Sequence, residues 1–149
     1  MIKTNEIPLS VRNIAETLEQ AGFEAYLIGG CVRDLLLKRA PKDWDFTTNA
    51  NPDQIQDLFP DSFCNNEYGT VGVKNEEESD ETLKVVEITP YRSEDGYSDA
   101  RRPDKVTFGV SLEQELARRD FTVNAIAFRI KDEKIVDLYG GLEDLEAKR

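Results

Sequence analysis

Residues Tyr26–Asn49 read YLIGGCVRDLLLKRAPKDWDFTTN. A short apolar run, Ala25–Ile28, predicts a buried strand that enters the pair Gly29-Gly30. A helical stretch over Cys31–Leu37 follows, carrying Arg33 and Asp34. Pro41 closes that region before a strand over Trp44–Thr48, which brings in two carboxylates, Asp43 and Asp45. Side chains alternate faces along an extended strand, so acids two apart project together, about 7 Å from each other. Two acids on one face leave a negative charge that a cation must offset. Oxygen ligands of this kind suit Mg²⁺, whose shell is completed by water and substrate phosphates. The Gly-Gly turn supplies the complementary half, backbone N–H groups at a helix start facing an anion.

A D-x-D pair also occurs as the polar end of a solvated strand. Trp44 and Phe46 argue for the metal reading, because they alternate with the acids and would pack into the core, fixing the register. In-line phosphoryl transfer with two ions calls for a third carboxylate. Glu87, inside the apolar run Val85-Val86-Glu87-Ile88, is the candidate; the alternative is an edge strand with Glu87 facing water. Arg33 is a charge-assisted phosphate contact or one half of an exposed helical pair with Asp34. The run Arg118–Ala125 places two guanidinium groups and an amide around a helix-to-strand turn. It reads either as cations at a helix C-terminus or as Arg119 gripping triphosphate or ribose, with Asn124 as a hydrogen-bonding partner. Cys31 and Cys64 read as small buried side chains.

Outward from this core, Ile7–Gly22 has helical apolar spacing, with Ser10 as cap and Gly22 as stop. Asn51-Pro52 opens a helix over Asp53–Leu58, and Val71–Lys74 and Leu83–Thr89 read as strands around an acidic tip, Glu76–Glu81. Arg92–Lys105 reads as a long loop. Ser111 starts a helix, with Gln114 at the capping-box position, that runs to about Asp120. Asn124–Ile130 and Lys134–Leu138 form a hairpin, and Tyr139–Arg149 is a charged stretch that stops abruptly, as a fragment of something longer would. The expected fold class is α+β, a small mixed sheet flanked by helices.

The 149 residues suit one domain with a real core. Histidine is absent, which excludes Ser-His and Cys-His catalysis and His-bound zinc. Carboxylates, metal ions and arginines are left to carry any chemistry. A net charge of −11 points away from a large nucleic-acid footprint on this chain itself. Two cysteines, no export signal and no long apolar run predict a cytoplasmic protein without a membrane partner.

Five stretches in order, LIGGCVRD (27–34), KDWDFTTNA (42–50), VVEITPYR (85–92), LARRDFTVNAIA (116–127) and DLYGGLEDL (137–145), make the chain resemble the N-terminal catalytic head of the bacterial class II tRNA nucleotidyltransferase and poly(A) polymerase family. The resemblance implies a polymerase-β-like nucleotidyltransferase fold. It implies metal-dependent transfer of CMP and AMP from CTP and ATP to the 3′ end of tRNA, which is CCA addition. Asp43 and Asp45 match the metal-binding pair, and Glu87 the third acid. Gly29, Gly30 and Arg33 match the triphosphate-binding turn, and Arg119, Asp120 and Asn124 the arginine motif that contacts the incoming nucleotide. Arg92–Lys105 falls at a flexible loop needed for terminal A addition, which argues against a CC-only enzyme. Tyr68–Val73 looks like the tRNA-specific branch, with Asn65-Asn66-Glu67 where the poly(A) branch has a basic element. Base selection and the neck, body and tail domains are implied beyond Arg149. The alternatives are an A-adding specialist, a poly(A) polymerase, and a nucleotide-binding regulatory module without catalysis.

Overall fold

The computed structural model describes residues 2–65, 69–75, 80–95, 105–108, 111–117, 119 and 121–147, with backbone alone at 65, 92–95, 105–108 and 114. A helix, α1 (Leu9–Gln20), packs Val11, Ile14, Ala15 and Leu18 inward, a stripe of i, i+3, i+4, i+7 spacing. Its cap differs from the sequence expectation. Pro8 occupies the cap position, and Ser10 lies in the first turn with its Oγ buried and without a hydrogen bond. Gly22, at φ +93°, ends the element as expected.

The next segment builds the centre. Strand β1 (Tyr26–Ile28) is wholly buried and turns at Gly29 into α2 (Gly30–Leu36), which buries Cys31, Val32 and Leu35. Strand β2 (Asp45–Thr48) leads to α3 (Pro52–Leu58). Asn51 caps α3 reciprocally: its Oδ1 accepts from the Gln54 N–H at 2.8 Å, and Gln54 Oε1 accepts from the Asn51 N–H at 2.9 Å. Then come β3 (Ser62–Asn65), β4 (Thr70–Lys74) and β5 (Val85–Pro90). A ribbon of β6 (Arg92–Asp95) and β7 (Lys105–Phe108) precedes α4 (Leu112–Ala117). Strands β8 (Ile126–Arg129) and β9 (Lys134–Asp137) and helix α5 (Gly141–Ala147) complete the described chain.

Seven strands form one sheet in the order β3-β4-β5-β2-β1-β8-β9. Every neighbouring pair is antiparallel except β2 with β5, which run parallel at its centre. The sheet is thus mixed and the class α+β, as expected. One face packs on α1, α2 and α3 through Leu27, Phe46, Val71, Val86, Ile88 and their neighbours. Tyr26, Ile28 and Ala127 project to the other face and meet Leu112 and Leu116 of α4. That cover extends over only part of the second face. Among the described residues, no helix is long and apolar enough to cross a membrane.

Several boundaries move for identifiable reasons. The strand expected from Leu83 starts at Val85, because Asp80 caps a tight turn over Glu81–Leu83. The loop expected over Arg92–Lys105 is framed by β6 and β7; residues 96–104 lie outside the described residues, as do Glu76–Glu78 of the acidic tip and Asn66–Tyr68. Helix α4 is described over Leu112–Ala117, and Arg119 already lies outside it, short of the expected end near Asp120. Asn124 sits in a tight turn, Thr122–Asn124, rather than in the strand that follows. Strand β3 was not expected. Nor was α5, whose first turn is held by Asp137: Oδ1 accepts from the Gly141 N–H at 2.8 Å and Oδ2 from the Leu142 N–H at 3.0 Å.

Candidate active site

The parallel pairing of β2 with β5 sets Asp45 directly opposite Glu87. Alternation fixes which way both acids face. Trp44 and Phe46, 3% and 0% exposed, anchor one strand in the core, and Val86 and Ile88 do the same for the other. Asp45 and Glu87 therefore share the second face. Asp43 is exposed and lies just ahead of the first residue of β2.

The electrostatics of Asp45 report the crowding. Burial, then the charge of Glu87, a hydrogen bond shared with Glu87 and the charge of Asp43 push the Asp45 carboxyl up to about 7, while Arg119 pulls the other way. Two acids and one guanidinium thus act on Asp45. Among the described residues no group of three or more Cys, Asp or Glu side chains converges closely enough to hold an ion by itself. The acids therefore do not form a closed cage. Their chemistry fits a hard divalent cation that draws on one or two carboxylates and leaves the rest of its shell to substrate and water.

Arg119 follows the end of α4. Its Nη2 donates to Glu115 Oε2 at 3.1 Å, and the Glu115 side chain is fully buried. Its Nε is buried without a hydrogen-bond partner among the described residues. Glu115 had not been singled out, although an acid four residues before an arginine, between Leu112 and Leu116, is a legible signal.

The glycine turn adjoins the acids. Extending the β1–β2 register by one step brings Ile28 level with Asp45, and the Cys31 Sγ donates to the Ile28 carbonyl at 3.4 Å, with that of Asp45 at 3.9 Å. Gly29 holds φ +82° and ψ −146°, a conformation closed to other residues without strain. A Cβ on Gly30 would stand 3.3 Å from Arg33 Nη2, so the guanidinium folds back over the turn. Arg33 Nη1 also donates to Asn124 Oδ1 at 3.4 Å. Asn124 therefore partners Arg33. Asp120 lies outside the described residues, as does Arg118. Burial pushes the Cys31 thiol up to about 12, which agrees with a structural role.

An acid pair on central strands, a glycine turn and arginines meet at one end of a mixed sheet. The sequence matches the family described as the Poly A polymerase head domain over residues 25–149, and the chain belongs to that family. It is 47% identical to a CCA-adding enzyme of Lactobacillus helveticus (strain DPC 4571), over 98% of this chain and 36% of that protein. Its fold superposes on the crystal structure of the Bacillus stearothermophilus CCA-adding enzyme in complex with CTP with a TM-score of 0.76, at 34% identity, covering 94% of this chain and 32% of the other. A tRNA nucleotidyltransferase complexed with a primer tRNA and an incoming ATP analog gives 0.67 at 28% identity, covering 89% and 36%. The chain spans about a third of the length of these relatives. Dependence on a divalent metal is general in the family.

Proposed function

We propose that the chain is the catalytic head of a CCA-adding tRNA nucleotidyltransferase, acting in the cytoplasm on CTP, ATP and the 3′ end of tRNA. The opposition of Asp45 and Glu87 on adjacent central strands supports this above any other observation. The substrates named for its structural neighbours, CTP and a primer tRNA with an ATP analog, favour the same reading. Asp43 and Asp45 would hold Mg²⁺ with Glu87 as the third acid; when bound, the ion activates a hydroxyl and neutralises phosphate charge.

The chain's own residues do the remaining work. Gly29 and Gly30 keep the approach of the triphosphate free of side chains, and Arg33, steadied by Asn124, meets phosphate oxygens with charge-assisted hydrogen bonds. Arg119, tethered by the buried Glu115, sets positive charge beside Asp45, where negative charge accumulates during transfer. Asp120 completes that motif by family resemblance. By the same resemblance, choice between C and A and grip on the body of the tRNA belong to neck, body and tail segments outside these 149 residues.

Calorimetric titration of CTP, ATP, GTP and UTP with Mg²⁺ tests the reading. The wild type should bind all four with little preference, and Asp45→Ala should lose the Mg²⁺-dependent part while still unfolding cooperatively. Undiminished binding by Asp45→Ala, or none by the wild type, overturns it. An A-adding specialist or a poly(A) polymerase would be revealed in the full-length protein by its products on tRNA ends of different length.

A further inference from the structure

Across the acid-bearing face the strand registers draw a single row. Phe63 stands opposite Gly72, Gly72 opposite Glu87, and Glu87 opposite Asp45. Directly opposed residues share a face, so Phe63 lies on the side of the acids, two strands beyond Glu87 and about 10 Å from it at ordinary strand spacing. Gly72 provides the room: a Cβ there would lie 2.4, 2.7 and 2.9 Å from three carbons of the Phe63 ring. The ring therefore rests flat on the sheet at its edge strand.

Covering a strand glycine with an aromatic ring accounts for the inner face of Phe63. It does not account for the outer one. Phe63 is 45% exposed, and Val85, on the same face two strands away, is 42% exposed. Lys74, paired with Val85 across the strands, holds its Nζ 5.6 Å from the ring centroid. A half-exposed aromatic ring with a cation over it, level with a row of acids, has the make-up of a stacking platform for single-stranded nucleic acid, on which a base displaces the ammonium toward its phosphate.

The side on which it lies identifies the occupant. The glycine turn and Arg33 flank Asp45 from the β1 and α2 side, and Phe63 flanks Glu87 from the opposite side. A nucleotide with its phosphates at the turn leaves the β4–β3 side to the acceptor strand. We propose that Phe63 is the platform on which the 3′-terminal base of the acceptor RNA stacks, with Lys74 meeting the adjoining phosphate. The assignment rests on the nucleotidyltransferase reading and deepens it.

Fluorescence anisotropy with a 5′-labelled RNA pentamer and Mg²⁺ tests it, alongside the same pentamer ending in an abasic ribose and a parallel calorimetric titration of CTP. The wild type should bind the intact pentamer about 5- to 100-fold more tightly than the abasic one, the range that base–aromatic stacking supplies. Phe63→Ala should bind both alike with CTP affinity unchanged, and Phe63→Trp should keep the discrimination, its indole emission quenched by the intact pentamer alone. That quenching carries the test even if Phe63→Ala fails to fold. Lack of discrimination by a wild type that binds CTP overturns the platform alone, as does a folded Phe63→Ala that still discriminates or loses CTP instead. Failure of the wild type to bind either CTP or RNA overturns the nucleotidyltransferase reading with it.

Discussion

Asp45 carries the most informative titration in the molecule. Its carboxyl, raised by burial and by Glu87, keeps its proton in the ion-free protein up to about pH 7, whereas the unfolded chain releases it in the ordinary carboxylate range. Between those limits the folded state binds more protons than the unfolded one, so stability falls as pH rises. Thermal melts of the metal-free chain should therefore drop in Tm from about pH 4 to pH 7, and Asp45→Asn should flatten that slope. Excess divalent cation should flatten it too. A wild-type slope unchanged by either would refute this account. The two thiols offer a second contrast. Cys31 is buried with its thiol pushed up to about 12, and Cys64 is only half-buried. A thiol reagent at pH 8 should modify Cys64 first and reach Cys31 only on unfolding, as mass spectrometry would resolve.

At the scale of elements, α5 acts as a brace. Gly141 packs so closely that an added Cβ would meet the Thr122 carbonyl at 2.2 Å and Ile126 Cγ1 at 2.7 Å, and Thr122 Oγ1 bonds Asp144. The turn it presses on carries Asn124, the partner of Arg33. Gly141→Ala should cost about 1–3 kcal/mol by overpacking and should weaken nucleotide affinity as well. Calorimetry and a denaturant titration would check both. Asn51→Ala should cost about 1 kcal/mol through loss of the α3 cap, leaving affinity untouched. The cap of α3 could be read from Asn51-Pro52 and Gln54 because local chemistry alone decides it. The central segment was legible for the same reason: glycine turn, helix and Trp44–Phe46 alternation are local signals. What escaped depends on distant partners. Strand β3 has a weak pattern of its own and is defined by pairing with β4. Arg33 and Asn124 lie far apart in sequence and meet only because β1 and β8 are neighbours.

For the whole molecule, a formal charge of −11 on 149 residues means mutual repulsion throughout. Raising monovalent salt from about 0.01 to 0.2 M shortens the screening length from about 30 to under 10 Å. Unfolding melts of the ion-free chain should consequently rise in Tm with salt; a flat or falling Tm would show that local ion pairs dominate instead. The placement of Asp45 and Glu87 on the sheet's parallel pair has a consequence for how the protein comes into being. Parallel neighbours need a crossover, here running through α3, β3 and β4, so the two acids meet only after that excursion has folded and returned. Non-local pairing of this kind is slow, and its entropy cost precedes its reward. A chain part-way through synthesis holds Asp45 without its opposite number, and the proposed seat for a divalent ion therefore arrives together with tertiary structure.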